Sequence, residues 1–213
     1  TIAVRMGGPE VTGNMKLKLA LAKAKANNVP KDNIQRAIQK GAGAQDGSNF
    51  EEITYEGYGP AGIAVMVDAL TDNRNRTAAD VRHLFSKHGG NLGENGCVGW
   101  MFKRKGVFAI DGDAGYNEDD LMMLVLDAGA EDLKSEDGAF EITTEPEDFE
   151  AVEKVLADNN VAVMMSEISM IPDTMAELSP EDAAKVQRLI DALEDLDDVQ
   201  DVFTNADLPD EEE

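Results

Sequence analysis

The sequence predicts an α+β multidomain protein, with an N-terminal helical domain followed by two ferredoxin-like α+β units, one inserted in the other. Three observations predict it. Apolar residues recur at helical spacing through residues 14–40 and stop at a Gly/Ser/Asn-rich run, GAGAQDGSN (41–49). Beyond Phe50, short alternating or apolar strands bounded by Gly and Pro interleave with helical patterns. Residues 106–171 spell β-α-β-β-α-β, with a β-α-β piece before them (62–103) and another after them (about 173–204). The expected domains are residues 1–49, residues 50–105 together with 172–213, and residues 106–171. Two tandem units satisfy the same element order. The strings VLDAGAEDL (125–133) and ALEDLDDVQDV (192–202) each run helix, tight acidic turn, short strand, like a distant internal echo.

Each element has a local reason. The opening TIAVRMGG reads as helix running into a glycine stop. Asn14 can cap MKLKLALAKAKA, where Leu17, Leu21 and Ala24 form one stripe and Lys16 and Lys23 lie seven apart on another. Pro30 suits a first helical turn. Asp32 sits early and Arg36 and Lys40 sit late, as the helix dipole favours, while Ile34 and Ile38 give a buried side. EITYEGYG (52–59) alternates like a half-buried strand, and GIAVMVDAL (62–70) reads as a buried one. A helix is expected over 77–87, with Ala78, Val81, Leu84 and Phe85 inward and Gly89-Gly90 ending it. CVGWMF (97–102) and GVFAI (106–110) read as separate strands. Then come a helix (117–128), strands (131–134 and 139–144), a helix (147–159) and a long strand (161–171) that Pro172 ends. A short strand is expected at 174–178. Ser179 with Pro180 opens a helix to about Leu196, VQDVFT (199–204) is the last strand, and DLPDEEE is an acidic tail.

Charge is divided unevenly. The formal net charge is −24, yet residues 1–105 carry fifteen cations and ten acids, and residues 106–213 carry four cations and thirty-three acids. A polyanion site spread over the whole surface is excluded, because the second part repels phosphate. A hydrophobic fraction of 42% supports packed cores and excludes intrinsic disorder. No apolar run approaches the ~20 residues of a membrane helix. Cys97 is the lone cysteine and forms no internal disulfide, which favours a reducing compartment. With His83 and His88 as the only histidines, five apart, a Cys/His metal site is poorly supplied. The chain opens on Thr1, so residues upstream are expected in the natural protein.

Enzyme constellations fall short. GYGPAG (57–62) and HGGNLG (88–93) lack P-loop spacing and open no dinucleotide fingerprint, and turns explain their glycines. The candidate chemistry is cationic. Lys16, Lys18, Lys23, Lys25, Lys31, Arg36 and Lys40 line the helical region, where they either contact phosphate or simply decorate a solvated face. Arg74 and Arg76 sit in TDNRNRTAADVRH (71–83), in a loop just before a helix. Such a position invites an anion, unless they pair with Asp72 or Asp80. Arg82 and Lys87 follow along that helix. Lys103, Arg104 and Lys105 lie between two strands, as a basic edge or a hairpin decoration. Aromatics are few, so base stacking is not the expected dominant mode. No cofactor is expected.

The strings YEGYGPAG (55–62), TDNRNRTAADVRH (71–83), SKHGGNLGENG (86–96), EISMIPD (167–173) and LDDVQDVFTNAD (196–207) run in order through nearly the whole chain. In these the sequence resembles the YebC/PmpR-type family, which includes bacterial transcriptional regulators and a mitochondrial translational activator of cytochrome oxidase synthesis. The resemblance implies a helical domain and two α+β domains, the last inserted into the second. It implies a regulator of gene expression that binds DNA, cytoplasmic in a bacterium or in the mitochondrial matrix of a eukaryote. An alternative it equally implies is a ribosome-associated factor, contacting ribosomal RNA, that assists translation through proline-rich stretches. It implies no catalytic residue and no cofactor. Family members begin with a basic, Trp-containing segment of the G-H-S-K-W type, which this sequence lacks. A further reading, of another class, is a protein-interaction module whose acidic half binds a basic partner. Replacing Arg74 and Arg76 together with Ala is expected to weaken nucleic-acid binding and flatten its salt dependence in titrations at several ionic strengths. Unchanged affinity and slope would count against that segment.

Overall fold

The computed structural model describes residues 1–42, 50–136 and 138–208. The chain forms two compact units, Thr1–Glu51 with Thr71–Asn73, and Glu52–Leu70 with Arg74–Glu213.

The first unit holds α1 (Ile2–Gly7), α2 (Met15–Ala26) and α3 (Lys31–Ala42). Asn14 ties it together. Its side-chain oxygen accepts from the Leu17 N–H at 3.0 Å, capping α2 as its sequence position predicts. Its amide donates to the carbonyls of Ala3 (2.6 Å) and Gly8 (2.9 Å), at the other side of the α1–α2 turn. One buried amide thus satisfies orphan groups of two helices. Val4 and Leu17 are buried between the helices, and Ile34 and Ile38 lie half-buried on one side of α3. The expected linker at 41–49 lies mostly outside the described residues, and Gly41 and Ala42 complete α3.

Then follow β1 (Glu51–Tyr58), β2 (Ala64–Thr71), α4 (Arg74–Lys87), β3 (Asn91–Leu92), β4 (Phe102–Asp111), α5 (Glu118–Asp127), β5 (Ala130–Glu136) and β6 (Ala139–Thr144). The chain ends with α6 (Phe149–Asp158), β7 (Val163–Pro172), α7 (Pro180–Glu194) and β8 (Val199–Thr204). Two four-stranded sheets result, ordered β3-β1-β2-β8 and β5-β6-β4-β7. The second order, with antiparallel pairing at each neighbour, is that of a ferredoxin-like β-α-β-β-α-β unit. The first sheet uses the same spatial arrangement, but its strands come from both flanks of the second.

In the first sheet, β2 alternates Val65 and Val67 toward α4 and α7, against Val81, Phe85, Leu189 and Leu193. Fully burying each such side chain is worth about 1.5–3 kcal/mol. The opposite face presents Ala64 and Met66 to Val98 and Phe102. In the second sheet, Phe108 stacks on Phe149 of α6 with ring centroids 4.7 Å apart. Gly106 is needed beneath that pair, because a Cβ there would lie 2.7 Å from the Phe149 ring. Strands β4 and β7 pair from Phe102↔Pro172 to Ile110↔Val163. The chain therefore leaves the first sheet and returns to it at adjacent positions, and the Asp173 N–H donates to the Met101 carbonyl at 2.8 Å. This is the nested architecture.

Several elements differ from the sequence reading. Residues 97–101 are not a strand: Gly99–Met101 is a single 3-10 turn, and β4 runs unbroken from Phe102. Lys103, Arg104 and Lys105 therefore lie within a strand and not at a hairpin. Residues 174–178 contribute one bridge, Ala176↔Ala206, because only those two residues meet in register. Helix α4 begins at Arg74, so Arg74 and Arg76 occupy its first turn and not the preceding loop. The acidic tail beyond 208 lies outside the described residues. Among the described residues no helix is long and apolar enough to cross a membrane.

Asn14→Ala removes a cap and strands two carbonyls. It is expected to cost about 1–2 kcal/mol in urea denaturation followed by helical signal. An unchanged midpoint would show that Asn14 does not hold the helices together.

Candidate nucleic-acid interface

In the first unit, the cations of α2 form two rows. Lys16 and Lys23 are seven residues apart on one side of the helix, and Lys18 and Lys25 are seven apart nearly opposite. The stripe of Leu17, Leu21 and Ala24 turns inward between them. All but Lys18 are exposed, and Lys18 is half-buried. On α3, Arg36 and Lys40 share the exposed side at i, i+4, away from Ile34 and Ile38, and Lys31 is exposed at the start. Lysines in the last turn of α2 also complement the helix dipole.

In the second unit α4 carries Arg74, Arg76 and Arg82. Arg76 forms a two-pronged ion pair with Asp198, its guanidinium nitrogen 2.8 and 3.0 Å from the two carboxylate oxygens. The Thr77 hydroxyl donates to the same carboxylate at 2.7 Å. Asp198 lies in the turn before β8 and also offers its carbonyl to the Leu70 N–H at 2.7 Å. The pair fastens the first turn of α4 to the α7–β8 turn. Asp198 is a partner of Arg76 from across the fold, 122 residues away in sequence. Arg74, Arg82 and Lys87 are exposed on α4.

The β4 cations are partly used by the fold. Lys103 pairs with Asp173 at 3.0 Å where the two strands part, an exposed pair of small net worth. Lys105 is only 16% exposed and bridges Glu131 (2.8 Å) and Glu145. Hydrogen bonds that Lys105 donates to Glu131 and to Glu145 push its pKa up, and Lys105 in turn holds Glu145 down. Lys105 is thus poorly placed as a phosphate contact, since binding one would strip two carboxylates of their counter-ion. Arg104 stays exposed near Asp68. Asp68 is half-buried on β2, opposite Asp201 in register, with Thr54 donating to it at 2.6 Å. Burial raises its pKa, and Asp201 and Glu52 add to the rise against the pull of Thr54 and Arg104. His83 is exposed on α4 and His88 is half-buried beyond its end. Among the described residues no group of three or more His, Cys, Asp or Glu side chains is arranged to hold a metal ion.

Sequence reasoning missed the loop between β3 and β4. Glu56, buried on β1, accepts from the backbone N–H groups of Gly96, Val98 and Gly99 with its carboxylate, and from Gly93 with its carbonyl. Gly99 is required, because a Cβ there would meet the Glu56 carboxylate at 2.6 Å. The glycines three apart at 93, 96 and 99 were the available signal, obscured by reading 97–102 as a strand.

Comparison with known proteins gives a consistent match. The model for the TACO1/YebC second and third domain matches residues 50–206, and that for the TACO1/YebC N-terminal domain matches residues 1–44. A probable transcriptional regulatory protein of Desulforamulus reducens is 57% identical over 205 residues, 96% of this chain and 85% of the relative. One of Clostridium tetani is 55% identical over 210 residues, 99% of this chain and 85% of the relative. The crystal structure of a conserved hypothetical protein from Aquifex aeolicus superposes with a TM-score of 0.84 at 44% identity, covering 99% of this chain and 86% of that one.

Two outcomes are expected. Arg76→Ala lowers the thermal midpoint by several degrees, the effect of about 1–2 kcal/mol, because Asp198 loses its counter-ion. Arg82→Ala leaves the midpoint unchanged, and equal effects would show that the Asp198 pair is not structural. For Asp68 the raised pKa favours the neutral carboxyl in the fold, so its stabilisation holds at low pH and is lost as pH rises through the folded value. Asp68→Asn should therefore raise stability at neutral pH. That gain should shrink toward acid, below the ordinary aspartate range, in denaturation midpoints measured across pH.

Proposed function

Because the chain belongs to the TACO1/YebC family, we propose that it is a non-enzymatic, nucleic-acid-binding regulator of gene expression, acting in the cytoplasm as a DNA-binding transcriptional regulator. The observation that carries this reading is the pair of lysine rows on α2 with the Arg36/Lys40 side of α3. Rows of flexible ammonium groups along helix sides suit backbone phosphates and carry no base code. Recognition on this reading is by backbone and shape. The names of the bacterial relatives support the transcriptional part. The working division is residues 1–49 for contact, 50–105 with 172–213 as scaffold, and 106–171 as the acidic unit. At physiological salt the screening length is about 8 Å, so acids farther away do not cancel a local cationic row.

The test replaces Lys16, Lys18, Lys23 and Lys25 together with Gln. Each lost phosphate contact should remove about 0.9 from the slope of log affinity against log salt on duplex DNA. A total fall of about 3.6 is expected for four lost contacts, and replacing Lys134 and Lys154 should change nothing. An unaltered slope would remove α2 from the interface. Retained binding to a promoter duplex against excess nonspecific duplex supports the transcriptional role. Loss of that binding alongside co-sedimentation with ribosomes would assign the protein to translation instead.

A further inference from the structure

Resting on the nucleic-acid reading above, we infer that Trp100 is a stacking platform for an unpaired nucleobase, which makes single-stranded nucleic acid a ligand of the loop between β3 and β4. Trp100 is the only tryptophan in the sequence and is 74% exposed. It is held out and does not dangle. Val98 and Phe102 are buried in the cluster with Ala64 and Met66, and Met101 packs against it, so the turn that carries Trp100 is seated on a core while the indole itself faces solvent. The loop behind it is pinned by the Glu56 carboxylate through Gly96, Val98 and Gly99. The indole N–H donates to the Cys97 carbonyl at 3.1 Å, and the Tyr58 hydroxyl donates to the same carbonyl at 3.2 Å. Two partly exposed aromatic rings therefore share one anchor point.

The chemistry of the partner follows from what the indole has left to offer. Its single donor is spent inside the protein, so recognition falls to the ring face and edge. A face without a donor suits a flat ring, and bases stack on such faces regardless of sequence. Lys103 and Arg104 follow in β4 with exposed side chains. The Lys103–Asp173 pair is solvent-exposed and can yield to a phosphate on the nucleotide whose base is stacked. The pinned loop also keeps the ordering cost on the protein side low.

The experiment uses the 213-residue chain, in which all tryptophan emission comes from Trp100. It is titrated with short oligodeoxythymidine, with oligouridine, and with a duplex, reading tryptophan quenching alongside the anisotropy of labelled oligonucleotide. Saturable quenching by the single strands, with the same midpoint as the anisotropy, is expected. Trp100→Ala should weaken single-strand binding about tenfold, within the range for one stacked base. Duplex affinity and the thermal midpoint should stay as they were, and Trp100→Phe should retain most of the single-strand binding. The oligodeoxythymidine and oligouridine arms distinguish DNA from RNA as the source of the base. Bound oligonucleotide with unquenched tryptophan, or an Ala variant within twofold of the parent, would overturn the platform while leaving the nucleic-acid reading in place. Absence of binding to any oligonucleotide, single or double, would overturn both. A blue shift with protein concentration alone, without oligonucleotide, would assign Trp100 to contact with a second copy of the chain.

Discussion

The architecture of the second unit depends on the antiparallel pairing of β4 with β7. These strands meet at Phe102↔Pro172 and stay in register almost to their far ends. Closing a long excursion of chain costs loop entropy that grows only slowly with length, and a long ladder can offset it. Because the ladder begins where the chain leaves the first sheet and ends where it returns, the first sheet can complete itself with α7 and β8 as though little intervened. The same pairing places Met101, Phe102 and Met170 against Ala64 and Met66 of the first sheet, so one pair of strands belongs to two cores.

Charge is handled by position more than by total. In the cation-rich part of the chain, candidate cations are matched to carboxylates far away in sequence: Arg76 to Asp198, Lys103 to Asp173, and Lys105 to Glu131 and Glu145. Their worth differs with burial. The half-buried Lys105 bridge and the Arg76–Asp198 pair tie elements together, whereas the exposed Lys103 pair contributes little. The exposed rows on α2 and α3 owe their layout to the inward stripes of Leu17, Leu21, Ile34 and Ile38, which leave the lysines to the sides. Carboxylates are used the same way. Glu56 acts as an internal anion for three backbone N–H groups, while Asp68 and Asp201 face each other at some electrostatic cost.

Much of this was legible in advance. Caps at Asn14 and Ser179 follow from side-chain chemistry within three residues. The stripes of α4, α6 and α7 follow from a 3.6-residue period, and the β-α-β-β-α-β order follows from alternation of periods. The inserted unit is therefore readable from local signals. The places where the sequence reading failed share a cause. CVGWMF looks like a strand by propensity, but the buried Glu56 carboxylate draws the Val98 and Gly99 amides of that segment into a turn. Propensity gave way to a hydrogen-bonding partner roughly forty residues away.

The sequence by itself determined the elements, their faces and the division of charge, because each depends on residues a few positions apart. It also carried the family resemblance through its ordered motifs. Only the tertiary structure decided which cations the fold consumes. Asp198, which pairs with Arg76, is 122 residues distant, and no local rule points to it. It alone decided as well that the one tryptophan stands in solvent with its donor satisfied. That outcome requires Val98 and Phe102 to be buried together and Glu56 to hold the loop, a coincidence of contacts that exists only once the strands have come together.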